Sequence, residues 1–196
     1  MKLPEVIGIA GTNGSGKDTL AALRAERENC LHVTVSDILR AHLTEEGVAL
    51  EREYLAALSK RWREESGDEA ILVTKTIQRY LGERALVGHN GLSVVSLRHP
   101  AEVIAVKKFG GKVLWVDADP EIRYERICGA QRNRVDDDKT FEQFRAEEAR
   151  EMTPAHGDST SVNLGAVRPL ADEIVINNFA TREAYVDYLA STFEIA

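Results

Sequence analysis

The sequence predicts an α/β fold: one parallel sheet with helices on both of its faces. Three observations predict it. Short β-branched runs alternate with longer helical stretches along the 196 residues. Several of these runs are nearly continuously apolar, as strands buried on both faces tend to be. The first run, Val6 to Ala10, leads directly into a glycine-rich segment ending in lysine, at the point where a helix should begin.

The expected strands are Val6–Ala10, His32–Val35, Leu92–Leu97, Lys112–Asp117 and Glu173–Asn177. Five strands with helices between them make a sheet covered on both sides. Pro100 and Pro120 suit the first turn of a helix. Thr140 with Gln143 forms a capping box, and Thr181 can cap the last helix. Between the second and third strands, residues 36–86 read as a mostly helical insert. Tyr54, Leu55, Leu58 and Trp62 fall there at helical spacing, which points to core rather than to a base-stacking surface. A second polar stretch, residues 130–170, continues from Arg132 and Arg134 through a charge-rich helix. Within it Pro154–Arg168, rich in Gly, Ser and Asn, reads as a mobile surface loop. The whole chain, 1–196, reads as one domain carrying a substrate-binding insert and a lid.

Residues Gly11 to Asp18 read Gly-Thr-Asn-Gly-Ser-Gly-Lys-Asp, the G-x-x-x-x-G-K spacing of a phosphate-binding P-loop. Its glycines let backbone N–H groups turn inward as a nest for phosphate oxygens at a helix N-terminus. The nucleotide-binding residues expected here are Gly11, Asn13, Gly14, Ser15, Gly16, Lys17, Asp18 and Thr19. Lys17 supplies a mobile positive charge for the terminal phosphates. Asp18 stands where most such loops carry Ser or Thr. A carboxylate is a hard ligand suited to Mg²⁺, so Asp18 is the candidate metal residue; its alternative role is a helix cap. The implied cofactors are ATP and Mg²⁺.

Bulk properties narrow the classes further. Apolar residues make up 43% and charged residues 29%, a globular composition. A net charge of −7 argues against sequence-independent nucleic-acid binding, and no apolar run approaches the ~20 residues of a membrane span. Cys30 and Cys128 lack metal-ligand spacing and read as free thiols. With no leader-like pattern at Met1, the expected location is cytoplasmic. Monomer and homodimer both stay open.

The chain resembles the nucleoside monophosphate kinase group of P-loop proteins, together with dephospho-coenzyme A kinases. Besides the P-loop, the resemblance rests on four segments. Val35-Ser36-Asp37-Ile38-Leu39-Arg40 and Ser96-Leu97-Arg98-His99-Pro100 are similar to segments whose arginines hold the acceptor's phosphate. This implies substrate binding by Asp37, Arg40 and Arg98. Arg123-Tyr124-Glu125-Arg126-Ile127, running on to Arg132 and Arg134, resembles a lid entry, in which one arginine stacks on the donor base and others grip phosphates. Ala171 to Asn178 is similar to a strand that ends near the donor base, which adds Arg126 and Asn178 to the nucleotide site. The chain departs from the family at Ser96, where an acid usually orders the metal's water shell; Asp18, Asp37 or Asp117 would have to take over that work.

The resemblance implies a phosphotransferase. Phosphoryl transfer needs positioning and positive charge more than covalent chemistry. Lys17 supplies the fixed charge, and Arg132 and Arg134 the mobile part on a closing lid. Asp37 separates two acceptors. A nucleoside or deoxynucleoside monophosphate attacks through an oxygen already ionised, whereas the ribose hydroxyl of dephospho-coenzyme A benefits from a base. The monophosphate is the favoured acceptor and dephospho-coenzyme A the alternative. A nucleotide-binding regulator or ATPase is the reading from a different class.

Overall fold

The computed structural model describes residues 1–128, 139–153 and 162–196. Arg132 and Arg134 therefore lie outside the described residues, as do residues 154–161 of the expected loop. The elements run β1 (Val6–Gly11), α1 (Lys17–Glu28), β2 (Cys30–Thr34), α2 (Val35–Glu45), α3 (Arg52–Ser66), α4 (Ile71–Val87), β3 (Gly91–Leu97), α5 (Pro100–Lys108), β4 (Lys112–Asp117), α6 (Pro120–Cys128), α7 (Phe141–Met152), α8 (Leu164–Val167), β5 (Glu173–Ile176) and α9 (Arg182–Phe193). The five strands pair in parallel in the order β2-β3-β1-β4-β5. The P-loop strand β1 is thus central, with β3 and β2 on one flank and β4 and β5 on the other.

Alternation along the strands builds two cores. Val6, Ala10, Val94, Val113 and Trp115 face α2, α4, α5 and α8, while Ile7, Ile9, Val95, Leu114 and Val116 face α1 and α9. Period-2 alternation would place Leu97 with Val95, yet Leu97 packs with Val94. The cause is a bulge: Ser96 has φ 68°, and the pairing steps from Ile9↔Val95 to Ala10↔Leu97. The strand turns over just before it delivers Arg98.

The second strand ends one residue earlier than the sequence implied. Thr34 is the N-cap of α2 in a capping box with Asp37, so Val35 starts the helix in spite of its β-branched side chain. The expected box at Thr140 and the expected cap at Thr181 form as well. The insert is less flap-like than it reads. Val73 and Tyr80 of α4 are completely buried, and the Tyr80 hydroxyl donates to Glu5 at 2.9 Å, so α2 and α4 are a layer of the core. Leu58 is buried and Trp62 partly so, but Tyr54 is 42% exposed and does not join them. The end of the Pro154–Arg168 stretch is also not a mobile loop: Asn163 caps α8, which buries Leu164 and Val167.

Candidate functional site

The site begins where β1 ends. Gly14 (φ 77°) and Gly16 (φ 85°) hold left-handed backbone that other residues avoid. Space alone would also forbid a side chain there: a Cβ on Gly14 would meet the Arg123 carbonyl at 2.7 Å, and one on Gly16 the Asn177 amide at 2.5 Å. Ser15 N–H donates to the Thr12 carbonyl at 3.4 Å, closing the loop, and α1 starts at Lys17.

Lys17 reaches back to the Thr12 carbonyl at 3.4 Å. Burial pulls its pKa below the ordinary lysine value; Asp18 and Glu151 oppose that, and the nearby cations Arg98 and Arg123 reinforce it. An anion set among these groups would relieve the strain on the ammonium. Asp18 sits exposed in the first turn of α1, while the N-cap position is Gly16. The alternative that Asp18 caps the helix is therefore corrected: its carboxylate is two positions too far along. Exposed and next to Lys17, it suits one ligand of a hard cation whose other ligands are phosphate oxygens and water. Among the described residues, no group of three or more His, Cys, Asp or Glu side chains could hold a metal on its own.

Asp117, one of the acids expected to stand in for the missing strand-end acid, braces the loop. Its Oδ1 accepts from the Thr12 hydroxyl at 2.7 Å and from Ala118 N–H at 2.9 Å, and its Oδ2 accepts from the Trp115 indole at 3.2 Å. The carboxylate thus ties β4 to the loop while one acceptor site on Oδ2 stays open.

The most consequential residue was named in the sequence only as part of the lid-entry segment. Arg123 on α6 is 3% exposed and lies against the P-loop. It donates to the Ala118 carbonyl at 2.7 Å and to the Asn13 carbonyl at 3.3 Å, and pairs with Glu148 of α7 at 2.6 Å. Its guanidinium also covers the Phe144 ring, 5.4 Å from the centroid. A cleft of about 430 Å³, walled partly by Thr12, Asp117, Arg123, Glu148 and Met152, opens beside the loop here.

Arg126 does not face outward in the manner of a base-stacking arginine. One terminal nitrogen, Nη2, donates to the Asn177 carbonyl at 3.0 Å and to the Phe179 carbonyl at 3.0 Å, while Nη1 is buried without a partner. Burial lowers its pKa. Asn177, just before the expected Asn178, carries the contact to the loop: its amide donates to the Ser15 carbonyl at 2.8 Å. Asn178 instead accepts from Asp119 N–H at 2.9 Å, tying the β5 end to α6.

On the other flank, Asp37 and Arg40 follow β2, and Arg98 follows β3, at the same sheet edge as the P-loop. Arg40 turns back on its own helix, donating to Ser36 at 2.7 Å and pairing with Asp37 at 3.0 Å. Burial by itself would raise the Asp37 pKa, but hydrogen bonds from Thr34 and the Arg40 charge prevail and leave it lowered. Arg98 pairs with Glu151 of α7 at 3.6 Å and senses Lys17 electrostatically. The two arginines thus share an edge, but each is held by a different carboxylate.

The AAA domain family matches residues 7–152, which span the P-loop, the insert and α7. A UPF0200 protein of Sulfurisphaera tokodaii is 33% identical over 184 residues, covering 93% of each chain. Shikimate kinases share the fold. The enzyme from Acinetobacter baumannii, solved with shikimate, superposes with TM-score 0.60 at 13% identity, over 97% of this chain and 93% of its own. That from Bacteroides thetaiotaomicron gives 0.57 at 15%, over 96% and 98%. At such identities the likeness shows a P-loop kinase-like architecture and nothing about the acceptor. The family, by contrast, is shown by the sequence itself: with its P-loop, its matched span and its near full-length relative, the chain belongs to the AAA domain family and to the UPF0200 proteins.

Proposed function

We propose that this protein is an ATP-dependent small-molecule kinase whose acceptor is a nucleoside or deoxynucleoside monophosphate. The observation that carries it is the electrostatics of Lys17: a buried ammonium at the mouth of a glycine nest, depressed further by Arg98 from the acceptor-side strand. Two cations at the ends of neighbouring strands that repel each other call for an anion between them. Lys17 and the loop amides take the donor phosphates, and Asp18 takes one position on Mg²⁺. Arg98 and Arg40 take the acceptor's phosphate once it displaces Glu151 and Asp37. Arg132 and Arg134 close over the transferred group, and Arg126 with Asn178 shapes the donor-base end. No nucleic acid and no membrane surface is needed as partner; among the described residues no helix is long and apolar enough to cross a membrane.

Asp37 decides between the acceptors. A carboxylate whose pKa is lowered, with Thr34 and Arg40 bound to it, is a poor general base for a ribose hydroxyl. It disfavours dephospho-coenzyme A and suits an acceptor that is already ionised. The test is a coupled assay with ATP and Mg²⁺ across monophosphates and dephospho-coenzyme A. Turnover of a monophosphate supports the reading, turnover of dephospho-coenzyme A alone replaces it with the alternative, and acceptor-independent hydrolysis favours the regulator or ATPase.

A further inference from the structure

The P-loop's inward-facing amides are held from behind. A trans peptide is planar, with its carbonyl and its N–H pointing in opposite directions. No cis peptide occurs among the described residues. The Asn13 carbonyl is drawn outward to Arg123 at 3.3 Å, so the N–H of the same peptide, that of Gly14, is turned the other way, into the loop. The Ser15 carbonyl is drawn out by the Asn177 amide at 2.8 Å, which turns the Gly16 N–H inward in the same manner. Asn177 directly follows β5, is buried and donates its N–H to the Asp117 carbonyl at 2.7 Å, so its hold is fixed.

Arg123 differs, because its charge faces Asp117 of β4 only at 3.6 Å, and its close ion pair is with an element beyond the sheet. Glu148 of α7 pairs with the same Nη1 that holds the Asn13 carbonyl, at 2.6 Å, and is itself shared with Arg145 at 3.0 Å. A single nitrogen thus joins α7 to the loop. Phe144, one turn before Glu148 on the same helix face, packs on the guanidinium. If α7 moves, Nη1 must choose between Glu148 and the Asn13 carbonyl, and the geometry of the nest changes with it.

We propose that Arg123 is a positioning residue which, with Glu148, transmits the placement of α7 to the Gly14 N–H and so sets the phosphate affinity of the loop. This rests on reading the loop as a nucleotide site, but the relay itself can be observed without nucleotide.

The test uses Glu148→Gln, which removes the charge but keeps the shape, and Arg123→Lys, which keeps a charge but cannot hold Ala118, Asn13 and Glu148 at once. The Gly14 amide resonance is followed in the nucleotide-free protein, and ATP affinity is measured by calorimetry with Mg²⁺. Both variants should shift the Gly14 resonance and weaken ATP binding roughly tenfold, the scale of one charge-assisted hydrogen bond. The kcat at saturating ATP should change far less, and the double variant should lose no more than Arg123→Lys alone. Folded variants with an unmoved Gly14 resonance and unchanged ATP affinity would overturn the relay. Should Glu148→Gln fail to fold, Arg123→Lys decides by the same two readouts. If the parent protein binds no ATP, the nucleotide reading falls, and the Gly14 resonance still decides whether α7 is coupled to the loop.

Discussion

Arg63 of α3 and Glu102 of α5 meet at 3.1 Å with the carboxylate 1% exposed, and the same carboxylate accepts the Arg98 backbone N–H at 2.8 Å. The insert is thereby connected to the residue proposed to hold the acceptor. Removing one partner of such a pair strands the other charge, which costs about 3–5 kcal/mol. Glu102→Ala is therefore expected to unfold at distinctly lower urea. Glu102→Gln, which keeps the backbone contacts, should lose less stability but raise the acceptor's KM, because Arg98 is no longer tied to α3. Equal urea midpoints for Glu102→Ala and the parent would contradict the pairing.

Lys17→Ala should abolish the ATP–Mg²⁺ thermal shift, since the loop amides alone cannot balance the terminal phosphates. The intact protein should show a matching pH dependence. Phosphates favour the ammonium form, so affinity is full below the Lys17 pKa and declines as pH rises through it. Burial lowers that pKa, so the decline in calorimetric affinity should begin at lower pH than for an ordinary lysine.

At position 18 the metal reading makes an ordered expectation. Asp18→Ser should retain more Mg²⁺-dependent binding than Asp18→Ala, because the hydroxyl can still ligate. Without Mg²⁺ both should bind nucleotide at least as well as the parent, having lost a negative charge near the phosphates. Identical Mg²⁺ titrations for all three proteins would remove Asp18 from the metal site.

Arg98→Ala should raise the acceptor's KM strongly and leave ATP binding nearly unchanged, with Lys a poor substitute for a paired guanidinium. Arg40→Ala should act in the same direction, but with an added loss of Asp37 anchoring. Steady-state kinetics with the acceptor varied checks both. An ATP affinity that collapses in Arg98→Ala would move this residue from the acceptor to the donor.

Asp37→Asn separates cap from base. The lowered pKa means that the folded state prefers the carboxylate. Its stabilisation is present above the ordinary aspartate pKa and is lost as pH falls through the lowered one. The variant should be less stable than the parent at neutral pH, by about 1 kcal/mol on the usual scale of a helix cap, and the gap should close in strong acid. With a monophosphate acceptor kcat should survive; a kcat loss of several orders of magnitude would make Asp37 a base after all.

Strand positions were legible because β-branched runs such as Val113 to Val116 have few alternatives, and the P-loop because its glycines answer a backbone need. The α2 boundary was missed because β-branched Val35 outweighed the Thr34–Asp37 capping signal beside it. Arg123 was named only within the lid-entry segment, and its buried place against the loop was hidden for a different reason. On α6 it stands among Glu121, Glu125 and Arg126, like any residue of a solvated helix, and only α7, folding back from distant sequence, buries it. The face of α7 that does so, Phe144, Glu148 and Glu151, reads as an ordinary charged helix until Arg123 and Arg98 are found opposite it. Arg126 was legible as a candidate for the site but not in its orientation, which depends on carbonyls of the β5–α9 turn.

The bulge at Ser96 makes the spacing of the two half-sites a property of covalent backbone. β1 and β3 run side by side, one delivering the phosphate loop and the other Arg98, and the extra residue advances β3 by one position just before both chains leave the sheet. Neither strand can slide without breaking its parallel ladder and exchanging its buried face. The proposed donor and acceptor sites would thus be gauged against each other by a step in the pleat. On the proposed relay α7 alters how firmly the loop grips, while the interval across which a phosphoryl group would pass is set by the sheet.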